Sequence, residues 1–149
     1  MKYIDANVFI YAYFKPKKEY GELSPKVRWM KTESKKIIEK LNNEEEKFCI
    51  SLIQLSEVVN KLKIAMTWED LRKLLLGLTS INALEIIEVS KLLYINSVDK
   101  ITQYNMDSND ISAYLIMKDK GITEIYTFDS HYQNLKDITC LPTFPNEFV

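Results

Sequence analysis

Apolar positions alternate between two rhythms along the chain. Lys2-Tyr3-Ile4 is a short β-type run that stops at Asp5, and residues 7–13 follow as an apolar segment of helical character. Residues 14–25 hold Pro16, Gly21 and Pro25 among charged residues and read as a loop. Val27, Met30, Ile37, Ile38 and Leu41 then fall at helical spacing among Lys and Glu, which predicts an amphipathic helix over 26–42. A second buried strand is expected at 47–51 and a helix at 52–64, with Leu52, Leu55, Val59 and Leu62 on one stripe. Thr67 and Asp70 have capping-box spacing and start a further helix with Leu71, Leu74, Leu75 and Leu78 on its apolar face. Residues 82–89 alternate weakly and form the least marked strand. Helices are predicted over 90–105 and 107–120, the second closing on Gly121 with Lys118 and Lys120 in its last turn. A strand at 124–127 ends at Phe128-Asp129, a short helical turn covers 130–135, and a last strand covers 138–141.

Strands that alternate with helices need crossover connections, so the pattern predicts an α/β fold with a mostly parallel sheet covered on both faces by helices. The 149 residues suffice for one core, and a single domain over 1–149 is expected. No low-complexity stretch or solenoid repeat interrupts it. An acid at position 5 breaks any secretory leader, and no apolar run approaches membrane-spanning length, so a cytoplasmic protein with no membrane partner is expected. Cys49 and Cys140 lie in apolar runs without CxxC spacing and read as buried free thiols. The net charge of −1 conceals an asymmetry: residues 15–40 hold nine Lys/Arg against four Asp/Glu, while 41–149 hold ten against sixteen. The basic segment is either a solvated helix face or a surface for phosphate or a partner.

Candidate chemistry rests on acids. In an open parallel sheet, ligands gather beyond the carboxyl ends of strands, where strand order reverses. Asp5 and Asp129 each follow an apolar β run directly. Glu57 sits inside the helix after the second strand, and Asp110 opens the helix that starts near Asp107. Each also has an ordinary reading, as a turn aspartate, an exposed helical Glu or a charge at a positive helix end, and that reading is strongest for Asp107. Carboxylates held close together repel unless a hard divalent cation joins them, and Mg²⁺ accepts such oxygen ligands while retaining waters. His131, the single histidine, reads as a surface-turn residue. An Asp after a first strand also serves as a covalent nucleophile in some phosphotransfer folds, but those pair it with a second Asp and a Lys, where this chain has Asn7 and no obvious Lys.

Four segments together resemble the motifs of PIN domains. They are Asp5-Ala6-Asn7-Val8-Phe9-Ile10-Tyr11, Ser56-Glu57-Val58-Val59, Asp110-Ile111-Ser112-Ala113 with Gly121 eleven residues on, and Thr127-Phe128-Asp129-Ser130-His131-Tyr132. The chain departs from the pattern in its extended segment at 14–42 and in Tyr114, where a small residue is more usual. The resemblance implies a three-layer α/β/α sandwich and a Mg²⁺- or Mn²⁺-dependent endoribonuclease. Asp5, Asp110 and Asp129 would bind metal, and Glu57 would do so directly or through water. Asn7 and Thr127 would support them, with Asp107 and Ser130 as outer members. It further implies a toxin of the VapBC type, with RNA as substrate, a small antitoxin as partner and a homodimer as assembly. The alternative is a catalytically silent PIN-like RNA-binding or scaffold module.

Overall fold

The protein is described by a computed structural model that covers residues 1–15 and 22–148. Pro16 and Gly21 of the expected loop, with Lys17 and Lys18 of the basic segment, lie outside the described residues. In chain order the elements are β1 (Lys2–Ile4), α1 (Ala6–Tyr13), α2 (Pro25–Asn42), β2 (Phe48–Ser51), α3 (Leu52–Leu62), α4 (Trp68–Ser80) and β3 (Leu84–Ile87). They continue with α5 (Lys91–Asp99), α6 (Ile101–Tyr104), α7 (Ser108–Lys120), β4 (Glu124–Tyr126), a 3₁₀ turn (Ser130–Asn134), β5 (Thr139–Leu141) and a final 3₁₀ turn (Asn146–Phe148).

The described strands form one sheet in the order β3-β2-β1-β4-β5, and every pairing is parallel. Side chains alternate across it, so each strand feeds two cores. Ile4, Phe48, Ile50, Leu84 and Tyr126 join one core with residues of α1 to α4, whereas Tyr3, Cys49 and Ile125 join the other with α7. This is the three-layer α/β/α sandwich. From β1 the chain builds outward through β2 to β3, then returns to place β4 on the opposite side of β1. Strand order therefore reverses between β1 and β4, and the carboxyl ends of those two strands frame a crevice.

Local signals explain most boundaries. Ser24, Ser51, Thr67 and Ser90 each accept a first-turn backbone N–H at the start of α2, α3, α4 and α5. Gly121 ends α7 at φ 66°, the left-handed conformation that a side chain disfavours. Nothing lies within 4 Å of a Cβ added there, so Gly121→Ala meets only the backbone cost. Its urea midpoint should fall by the equivalent of about 1 kcal/mol, with an unchanged slope.

One expectation needs correction. The helix predicted over 90–105 is broken into α5 and α6, because the Lys100 N–H bonds back to the Ser97 carbonyl and closes the turn three residues on. The break follows Ser97, whose buried Oγ donates to the Leu93 carbonyl and accepts from Ser112 Oγ of α7. In the described part of the basic segment, several cations already have partners. Lys31 is buried and donates to the carbonyls of Tyr11 and Phe14 at the end of α1, where a cation complements the helix dipole. Lys36 pairs with Glu33, and Lys40 with Glu46. Leu71 and Leu78 are buried as expected, with Leu74 and Leu75 packed partly against the same core. Cys49 and Cys140 are free thiols, Cys49 buried and Cys140 partly so. Among the described residues, no helix is long and apolar enough to cross a membrane.

Candidate active site

The end of β1 delivers Asp5 into the crevice. Asp5 occupies the N-cap position of α1 but makes no capping hydrogen bond with its side chain. Its Oδ2 instead accepts from the Thr127 hydroxyl at 2.6 Å, just past the end of β4. Thr127 Oγ1 also accepts the backbone N–H of Asp129 at 3.0 Å and the Asn7 amide at 3.3 Å, while Asn7 Oδ1 accepts the Phe128 N–H. One hydroxyl thus ties the two acids that follow adjacent strands. Thr127→Val removes that tie with little change in volume, and titration with Mn²⁺ should show affinity reduced roughly 10- to 100-fold.

Asp110 reaches the same place from the first turn of α7. Its Oδ1 accepts from the Tyr132 hydroxyl at 3.0 Å and from Gln54 Nε2 at 3.4 Å. Gln54 also donates to the Tyr132 oxygen at 3.3 Å, and its own Oε1 is buried without a hydrogen-bond partner. Asp129 Oδ1 accepts the His131 N–H at 2.8 Å and lies 2.7 Å from His131 Nδ1. Ligand atoms of Asp110, Asp129 and His131 all fall within 4.8 Å of one another. Asp107 is the N-cap of α7, with its Oδ1 accepting the N–H groups of Asn109 and Asp110, so it aligns the helix that presents Asp110. Glu57 faces the group from α3, half-buried.

Electrostatics mark the acids as a mutually repelling set. Burial pushes the Asp5 carboxyl up to about 8, and the charges of Asp110, Asp129 and Glu57 push the same way against the stabilising Thr127 bond. Asp110 is raised to about 7 by burial, then by Asp107, Asp129 and Glu57. Glu57 is raised by burial, with Asp107 and Asp129 adding to the effect. Hard oxygen donors that repel one another at close range fit a divalent cation, which favours their ionised forms and releases their protons.

The family model that matches the sequence is the PIN domain, over residues 2–138. The chain belongs to the PIN domain family. Among solved structures it is similar to Mycobacterium tuberculosis VapC20, described as a sarcin–ricin loop cleaving toxin, at 12% identity and a TM-score of 0.69 over 91% of this chain and 95% of that one. It is also similar to a chain of Rickettsia felis VapBC2, solved bound to a DNA fragment from their promoter, at 18% identity and a TM-score of 0.60 over 94% and 97%. Among curated proteins, none matches the sequence significantly.

In this PIN domain the four motif acids converge from four separate elements on one crevice. A cleft of about 520 Å³ opens there, lined by Ile101, Thr102, Asn105 and Met106 as well as Asp107, Asp110, Asp129 and His131. Ser130 lies apart from it and lines a second cavity. Three further polar residues meet the acids through contacts that sequence spacing does not register. His131 lies exposed on a turn, as its sequence position predicts, and its ring also meets Asp129. Tyr132 is fully buried, and its hydroxyl donates to the Asp110 carboxylate at 3.0 Å. Gln54 gave no signal beyond its place three residues before Glu57 on α3.

Proposed function

We propose that the chain is an endoribonuclease that hydrolyses RNA phosphodiester bonds with Mg²⁺ or Mn²⁺, and that it serves as the toxin of a toxin–antitoxin pair. The observation that carries this reading is the convergence of Asp5, Glu57, Asp110 and Asp129 where strand order reverses, in a member of the PIN family. Asp110 and Asp129 would hold the ion, with Asp5 and Glu57 as further ligands directly or through water. The ion, when bound, supplies Lewis-acid polarisation of the phosphodiester and neutralises charge in the transition state.

The chain's own residues prepare that site. Thr127 fixes Asp5 and the Asp129 backbone together, Tyr132 and Gln54 fix Asp110 from behind, and the His131 N–H orients the Asp129 carboxylate. Preorganised ligands of this kind need no rearrangement when substrate arrives. Thr102 and Asn105 line the cleft and would contact the sugar–phosphate backbone. Similarity to a chain of the VapBC2 pair supports an antitoxin partner. The exposed apolar residues Leu92, Ile95 and Val98 of α5 would suit the homodimer that the family resemblance implies.

The chemistry of the cut ends tests the reading. Attack by water with departure of the 3′ oxygen leaves a 5′-phosphate and a 3′-hydroxyl. Attack by the neighbouring 2′-hydroxyl leaves a cyclic phosphate and needs no metal site. End-labelled RNA digested in Mg²⁺ or Mn²⁺ should give 5′-phosphate ends, and cyclic ends would overturn the hydrolytic mechanism.

A further inference from the structure

The segment Phe128–His131 has a second side. Asp129 and His131 line the acidic cleft, whereas Phe128 and Ser130 line a separate cavity of about 230 Å³. Lys26, Gln133, Phe144 and Phe148 complete that cavity. Its wall is a stack of aromatic edges and faces: Phe128 and Phe144 have ring centroids 6.1 Å apart at 80°, and Trp29 backs them at 5.9 Å and 4.9 Å. Phe128, Phe144 and Phe148 are each only partly buried, so ring surface remains open to a ligand. Lys26 Nζ sits 5.1 Å from the Phe144 ring centroid and donates to the Phe148 carbonyl at 3.1 Å, placing a cation on the rim. Exposed Ser130 and Gln133 put a hydroxyl and a carboxamide there as well.

Phe144 and Phe148 lie beyond residue 138, where the match to the PIN domain ends, so the far wall is built by this chain's own C-terminal segment. Flat aromatic walls, hydrogen-bonding side chains at the rim and a nearby cation are the features by which proteins hold an unstacked base of single-stranded RNA. We infer that this cavity takes a nucleobase of the RNA, that of a nucleotide adjoining the phosphodiester held at Asp110 and Asp129. The inference rests on the ribonuclease reading for its choice of ligand. It is supported by continuity with the cleft, since one four-residue segment forms a wall of both cavities. Phe144 would stack on the base with the Phe128 ring, at 80° to Phe144, meeting the base edge-on, and Ser130 and Gln133 would contact the base edge, making this cavity a determinant of cleavage specificity.

The test uses the full chain as wild type and as Phe144→Leu, which keeps apolar bulk and loses the ring face. Fluorescein-labelled single-stranded octamers of oligo(A), oligo(U) and abasic ribose phosphate are titrated in Ca²⁺ and followed by anisotropy. Wild type should favour a base-bearing octamer over the abasic one by roughly fivefold or more. Phe144→Leu should bring that ratio close to one while leaving affinity for the abasic octamer unchanged. An unchanged ratio in a variant that melts like wild type overturns the proposal, as does equal binding of all octamers by wild type. Should Phe144→Leu melt early, Gln133→Ala on the exposed rim carries the test, and a shift in its oligo(A) to oligo(U) preference is then the expected result; no shift overturns the proposal. Cleavage of an RNA pool by the same wild-type sample in Mn²⁺ is scored separately. Base preference without cleavage removes the nuclease reading and keeps the pocket, and cleavage without base preference does the reverse.

Discussion

Metal-free protein should be less stable at pH 8 than at pH 5, and Mn²⁺ should restore most of the difference. Asp5 is pushed up to about 8 and Asp110 to about 7, while the same groups in an unfolded chain titrate near 3.8. Between those limits the native state retains protons that the unfolded state has lost, so stability falls as pH rises. The penalty starts to build above the unfolded value and is complete once pH passes the folded values. With Asp5 contributing roughly 3–4 kcal/mol and Asp110 roughly 2–3, it should amount to about 6 kcal/mol between pH 5 and pH 8. For a chain of this size that is a fall in melting temperature of about 12–24 °C. A cation bound to the ionised carboxylates stabilises the folded state by mass action, about 4.1 kcal/mol at a thousandfold excess over its dissociation constant. Thermal melts at both pH values, in EDTA and in Mn²⁺, check the sign. A metal-free protein that gains stability as pH rises through this window would contradict the proposed electrostatics.

Asp5→Asn should separate stability from activity. The amide keeps the shape of the carboxylate and can still accept from the Thr127 hydroxyl, but it carries no charge into a buried, repelling site. Its metal-free form should therefore melt several degrees above wild type at pH 8 and match it at pH 5. RNA cleavage should drop by at least about a hundredfold, beyond the 10- to 100-fold range typical of losing an outer partner of a metal ligand. Retained cleavage in a well-folded Asp5→Asn would remove Asp5 from the catalytic set. Stabilisation at the expense of activity is the behaviour expected where strain is held for function.

The framework of this fold was legible because its signals are local. The run Lys2-Tyr3-Ile4 that halts at Asp5, the caps at Ser51 and Thr67, and Gly121 closing α7 each act within a few residues, and each lies where the periodicity put it. The α5–α6 break was not legible, because it coincides with a buried contact between Ser97 and Ser112 across two helices. A single-sequence pattern of helical spacing does not register such a tertiary contact.

The acids could be named from order and spacing, but their supporting groups could not. Gln54 and Tyr132 are separated by 78 residues and meet only through the packing of α3 against the turn after β4. His131 looks like any polar residue in a turn until the backbone folds it over Asp129. The basic segment keeps both of its readings open in sequence for the complementary reason. Charge counted along the chain does not reveal that Lys31 is buried against the end of α1, or that Lys36 and Lys40 already have carboxylate partners. The aromatic cavity has no local signature in sequence, because its walls come from α2, the segment after β4 and the C-terminal segment, which lie far apart in sequence.

The central claim is that this chain cuts RNA only when a divalent ion joins its carboxylates. The most direct measurement incubates purified wild-type protein with a mixed RNA pool in Mg²⁺, in Mn²⁺ and in EDTA, then returns metal to the chelated sample. We predict discrete fragments in at least one metal, none in EDTA, and recovery when metal is restored. Cleavage that persists in EDTA, or intact RNA under every condition, would contradict the account.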